Sequence, residues 1–152
     1  MAAVSAGIAF TPGKVLGGET ISGVRSKPRG DKVKIAYVGI GNRGEQIIQD
    51  FAKTGMVEVV ALCDVDLDGK QCRKALELYP DAKRFRDFRE MFDRCGNEFD
   101  AVAAAIPDCS HFAVAMLALA QGKHIFIEKP LCLTFHQAEL LMSAARRHPE
   151  LA

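Results

Sequence analysis

The chain has 152 residues, 49% of them hydrophobic and 26% charged, with 20 Lys+Arg set against 19 Asp+Glu. That apolar fraction with a net charge of only +1 excludes a disordered chain, and the lack of a basic excess argues against nucleic acid as a partner. No apolar run approaches the roughly 18 uninterrupted residues of a membrane-spanning helix.

Residues 1–30 stand apart. Ala2–Phe10 is a short apolar run, Thr11-Pro12-Gly13-Lys14 follows, and the stretch to Gly30 is Gly-rich and polar. Two readings stay open: the remnant of an export leader of twin-arginine type, which would make the protein periplasmic, or a flexible arm on a cytoplasmic protein. The folded unit is expected over residues 31–152.

From Asp31 onward, strand and helix signals alternate. Val33–Val38 is an apolar run ending in glycines and predicts a buried strand. Gly44, Ile47, Ile48 and Phe51 recur at helical spacing, and Thr54-Gly55 stops that helix. Val57–Cys63 is β-branched and apolar, a second strand. Cys72, Ala75, Leu76 and Tyr79 predict a helix ended by Pro80, with a weak strand over Lys83–Arg86. Phe88, Met91, Phe92 and Cys95 form a third helical face, closed by Gly96-Asn97. Ala101–Ile106 is an all-apolar strand, Ala113–Ala120 a buried helix, and His124–Ile127 a short strand. Ala138, Leu141, Met142 and Ala145 predict the last helix, which stops before Pro149.

Strands apolar on both faces, alternating with helices, predict a parallel sheet covered on both sides. Right-handed crossovers make this an α/β, Rossmann-type doubly wound fold, expected in strand order 3-2-1-4-5. The five cysteines are odd in number and form no C-x-x-C pair, so neither a disulfide framework nor a zinc site is expected. Most of them sit in apolar runs and read as core thiols.

The strongest local motif is Gly39-Ile40-Gly41-Asn42-Arg43-Gly44, which matches G-x-G-x-x-G and joins the first strand to the first helix. Gly39 permits the tight turn, Gly41 lets the backbone approach a pyrophosphate, and Gly44 lets the helix pack closely. The helix N-terminus offers free N–H groups to the phosphates. Asp64 ends the second strand, where a carboxylate accepts hydrogen bonds from ribose hydroxyls and repels a 2′-phosphate. NAD is therefore expected over NADP. Arg43 complicates this, since its cation can stack on adenine or pair with a phosphate. Asp66 and Asp68 are nearby competitors for the ribose.

The segment AAAIPDCSHFAVAMLALAQGKHIFIEKPL at residues 103–131 resembles the nucleotide-binding domain of the glucose–fructose oxidoreductase / inositol dehydrogenase / rhizopine catabolism (Gfo/Idh/MocA) family. The likeness spans residues 33–148, and Glu128-Lys129-Pro130 is its most specific element. Ile106-Pro107-Asp108 stands where the family commonly has Thr-Pro-Asn; Asp keeps a helix-capping oxygen but adds a charge. The resemblance implies that Pro107, Asp108 and His111 lie near the cofactor. It implies that Glu128 bonds the nicotinamide ribose and that Lys129 reaches the ribose or the substrate hydroxyl. Pro130 would fix the turn, and a cis peptide is one way for it to do so. A solvent-facing position for His111 stays open.

The resemblance further implies a second α/β domain that supplies substrate contacts, a catalytic acid/base and often the oligomer interface. Because the chain stops at Leu151-Ala152, it is expected to be a fragment cut before a sixth strand. The whole protein is expected to move a hydride between nicotinamide and a sugar or polyol, with this fragment alone inactive and self-associating. The alternatives are an NAD-dependent glycosidase of the same fold and a non-catalytic nucleotide-binding module.

Overall fold

The computed structural model of the chain describes residues 32–152. The leader-or-arm reading of residues 1–30 lies outside the described residues. Five strands, β1 (Val33–Val38), β2 (Val57–Cys63), β3 (Lys83–Phe85), β4 (Ala101–Ala104) and β5 (His124–Ile127), pair in parallel in the order β3-β2-β1-β4-β5. Helices α1 (Arg43–Lys53), α2 (Arg73–Leu78), α3 (Phe88–Cys95) and α4 (Asp108–Ala120) fill the crossovers, and α5 (Phe135–Arg147) follows β5. The expected order is the observed one.

The central strands are buried on both faces because their side chains alternate between two cores. Ala36, Val38, Ala61, Cys63, Val102 and Ala104 pack on one side with Phe85, Met91, Phe92 and Phe99. Ile35, Tyr37, Leu62 and Ala103 pack on the other with Ile47, Ile48 and Ala75. An uninterrupted apolar strand is the pattern such two-sided burial requires.

Four local expectations need correction. β4 ends at Ala104 and not Ile106, because Ala105 and Ile106 leave the sheet toward α4. α4 starts at Asp108, five residues before the apolar run that marks it in the sequence. Its N-cap is Pro107 and no side chain caps it, so Asp108 is the first helical residue and not a cap; its charge instead complements the N-terminal end of the helix dipole. The buried face of α5 is Leu141 and Ala144, whereas Met142 is 54% exposed. The reading of most cysteines as core thiols agrees with the structure, in which Cys63, Cys72 and Cys95 are buried, Cys132 is partly buried and Cys109 is exposed.

The last residues of all five strands, Phe85, Cys63, Val38, Ala104 and Ile127, stand in a single row across the sheet. β2 is one residue longer than β1, and a register shift at Ile35/Ala36 absorbs the difference.

Candidate dinucleotide site

Just past that row, each chain segment is tied to its neighbour by one further backbone bond. Asp64 N–H donates to Phe85 O at 3.0 Å, Gly39 N–H to Cys63 O at 2.8 Å, Ala105 N–H to Val38 O at 2.9 Å, and Glu128 N–H to Ala104 O at 3.0 Å. The glycine turn, Asp64, the β4–α4 connection and Glu128 therefore share one edge. In an open parallel sheet this carboxyl edge is where ligands bind.

The glycines of the turn are sterically required. Gly39 has φ +80°, and a Cβ on it would lie 2.2 Å from the carbonyl oxygen of Ala105. A Cβ on Gly44 would lie 2.0 Å from the carbonyl oxygen of Gly39. Both contacts are to backbone that the sheet holds in place. Asn42, the N-cap of α1, also has positive φ (48°), a conformation that costs free energy and gathers at ligand-binding turns.

Asp64 is half-buried, and its carboxylate binds the turn directly. Oδ2 accepts from Ile40 N–H at 3.0 Å, and Oδ1 accepts from Asp66 N–H at 3.0 Å. Two backbone donors orient the group and leave lone pairs for further donors. Beneath it, burial and the Asp64 charge push the Cys72 thiol up to about 12. Burial, with a smaller contribution from Asp64, does the same for Cys63. Neither thiol is a nucleophile at neutral pH.

A cleft of about 410 Å³ opens here, lined by Gly39, Gly41, Asn42, Asp64, Asp66, Gln71, Arg86, Phe88, Ile106, Pro107 and Ser110 among others. Gln71, Arg86 and Ser110 carry no motif and were missed by the sequence reading. Gln71 lies over Gly41 and donates to Asp66 Oδ2 at 2.8 Å. Arg86 reaches the carbonyl of Val65 at 3.0 Å and pairs with Asp68. The position of Arg86 one residue past β3 is the one clue the sequence held.

The Arg43 guanidinium turns toward Glu128 past the end of β5 and along its own helix. Its Nε lies 2.7 Å from Glu128 Oε1 and its Nη1 3.0 Å from Gln46 Oε1. The hydrogen bond from Arg43 holds the Glu128 carboxyl below its ordinary value. Lys129 is exposed, and the Lys129–Pro130 peptide is cis. His111 does not face solvent: it is 1% exposed, with Nδ1 2.6 Å from the carbonyl oxygen of Pro130. No group of three or more possible metal ligands occurs among the described residues, and none of their helices is long and apolar enough to cross a membrane.

The arrangement fits a dinucleotide: a glycine turn with no room for side chains, an open helix N-terminus, and an oriented carboxylate one strand away. Comparison with known proteins agrees. The family described as "Oxidoreductase family, NAD-binding Rossmann fold" (Gfo/Idh/MocA) matches residues 33–152. A dehydrogenase from Chromobacterium violaceum is 30% identical with a TM-score of 0.70, over 78% of this chain and 34% of that one. The scyllo-inositol dehydrogenase of Lactobacillus casei, solved with NAD(H) and scyllo-inositol, is 26% identical with a TM-score of 0.71, over 80% and 35%. A glycosyl hydrolase family 109 protein of Solibacter usitatus is 28% identical over 97% of this chain and 35% of its own length. The chain thus spans about a third of the length of these relatives. It belongs to the Gfo/Idh/MocA oxidoreductase family and forms its NAD-binding Rossmann fold.

Proposed function

We propose that the whole protein transfers a hydride between NAD and a carbinol carbon of a sugar or polyol, and that this chain holds the dinucleotide. The observation that carries this reading is the shared carboxyl edge, which puts Asp64 two strands away from the β4–α4 connection and three from Glu128-Lys129. Gly39–Gly44, with the N–H groups of Asn42 and Arg43, would hold the pyrophosphate, while the Ile40 N–H stays on the Asp64 carboxylate. Asp64 would hold the adenosine ribose and disfavour a 2′-phosphate. Pro107, Asp108 and Glu128 would border the nicotinamide ribose.

When bound, the nicotinamide supplies the carbon that accepts or returns the hydride. Lys129 would put a cation beside the substrate oxygen, where negative charge develops as its proton leaves; a donor so placed is worth about 3 kcal/mol. The exposed position of Lys129 leaves the substrate pocket and the partner acid/base to other parts of the protein. This chain alone is then expected to bind NAD and turn over no polyol.

The likeness to family 109 glycosyl hydrolases favours a second reading, in which the sugar is oxidised and re-reduced within one cycle. A panel of inositols, hexoses and their nitrophenyl glycosides, incubated with the whole protein and NAD, separates the two. Net NADH formation on a free polyol is the expected result. Nitrophenol release without net NADH would replace it with the glycosidase. NAD binding with neither product would reduce the protein to a nucleotide-binding module.

A further inference from the structure

His111 is the one buried polar side chain of the core among the described residues. It sits in the first turn of α4, and its Nδ1 is 2.6 Å from the carbonyl oxygen of Pro130. Its Nε2 is buried and has no partner. A carbonyl oxygen only accepts, so Nδ1 must carry the proton. Nε2 is then a bare lone pair, which costs less to bury than an unpaired N–H or a charge. The surroundings therefore select the neutral Nδ1–H tautomer.

The place of this bond gives it a consequence. The last sheet bond on this segment is Glu128 N–H to Ala104 O. Beyond it, Lys129 N–H reaches only the side chain of its neighbour Glu128, at 3.3 Å. Pro130 has no N–H to offer. Past Glu128, whose side chain Arg43 holds, the His111 bond is the long-range hydrogen bond on the turn that presents Lys129.

We propose that His111 is a positioning residue: locked as the Nδ1–H tautomer, it clasps the Pro130 carbonyl and fixes where Lys129 meets the substrate oxygen. This rests on the role given to Lys129 above, so the test reads the clasp separately from turnover. In the whole protein with 15N-labelled histidine, a long-range proton–nitrogen spectrum should show His111 with a protonated Nδ1 and a pyridine-like Nε2. The signal is identified by its loss in His111→Asn. A protonated Nε2, or an averaged pair of shifts, would overturn the proposal whatever the enzyme's substrate.

Two variants then test the consequence. The Asn side-chain nitrogen can take the place of Nδ1, whereas Leu offers no donor. Amide exchange at Lys129 and Leu131 should quicken at least tenfold in His111→Leu and stay within threefold of wild type in His111→Asn. With NAD and the panel polyol that turns over fastest, His111→Leu should lose at least tenfold in kcat with little change in KM for NAD, and His111→Asn should recover most of it. Equal behaviour of the two variants would contradict the clasp. If neither variant folds, the tautomer spectrum of the wild type decides.

Discussion

Arg43 Nε and Glu128 Oε1, 85 positions apart in the chain, lie 2.7 Å from one another. The pair joins the first turn of α1 to the end of β5, past the end of β4, which stands between their strands in the sheet. A surface ion pair of this kind adds little stability. Its effect is to preset the direction of a carboxylate that the proposed function sets beside the nicotinamide ribose.

The Arg43 hydrogen bond lowers the Glu128 pKa from its ordinary 4.5. A depressed carboxyl contributes stability above its unfolded value and loses it as pH falls through the folded value. In Arg43→Leu the carbon-13 titration midpoint of the Glu128 carboxyl should move up toward 4.5. The share of acid destabilisation below that pH should shrink accordingly. An unmoved midpoint would show that Arg43 does not hold Glu128 in solution.

Gly44→Ala places a methyl against the Gly39 carbonyl, 2.0 Å away. Overpacking of this sort costs about 1–3 kcal/mol, and here it also deforms the phosphate turn. Gly55→Ala is the control: it lies past the other end of α1 at φ +67° with open space around it. Urea unfolding should show both variants destabilised. NAD affinity should fall at least tenfold in Gly44→Ala only, and equal affinities in the two would refute the steric account of the turn.

Lys129→Ala in the whole protein should cut turnover about 100-fold, the scale of one lost charge-stabilising donor. NAD affinity should stay within a few-fold, because the role proposed for Lys129 is at the reacting centre and not at the dinucleotide phosphates. Near-normal turnover would leave Glu128-Lys129-Pro130 as a structural turn.

Apolar side chains remain uncovered around β5: Phe126 is 44% exposed, and with Phe51 and Met56 it borders a recess of about 390 Å³. Such surface seeks a partner. This chain on its own should therefore be a dimer or larger by light scattering at high concentration, and Phe126→Glu should shift it toward monomer. A wild-type monomer would contradict this.

The sheet order and the glycine turn were legible because each depends on local pattern. β1, β2 and β4 are apolar at every position that both cores must fill, and G-x-G-x-x-G follows a strand directly. The α5 face was misread by one position because Leu141-Met142 and Ala144-Ala145 offer two overlapping helical stripes, and packing on α4 chooses between them. The start of α4 was hidden because Pro107 to Phe112 is polar or mixed while the helical geometry is set by Pro107 at the N-cap. Long-range pairings were not legible at all. Nothing near His111 in the sequence tells of Pro130, and nothing near Arg43 tells of Glu128.

The central claim, that Asp64 at the end of β2 holds the adenosine ribose of NAD, is tested most directly by titration calorimetry of the whole protein with NAD and NADP. NAD should bind at least tenfold more tightly, about 1.4 kcal/mol, and Asp64→Ser should narrow that gap chiefly by improving NADP. Equal affinities in the wild type, or a gap that survives Asp64→Ser unchanged, would contradict it.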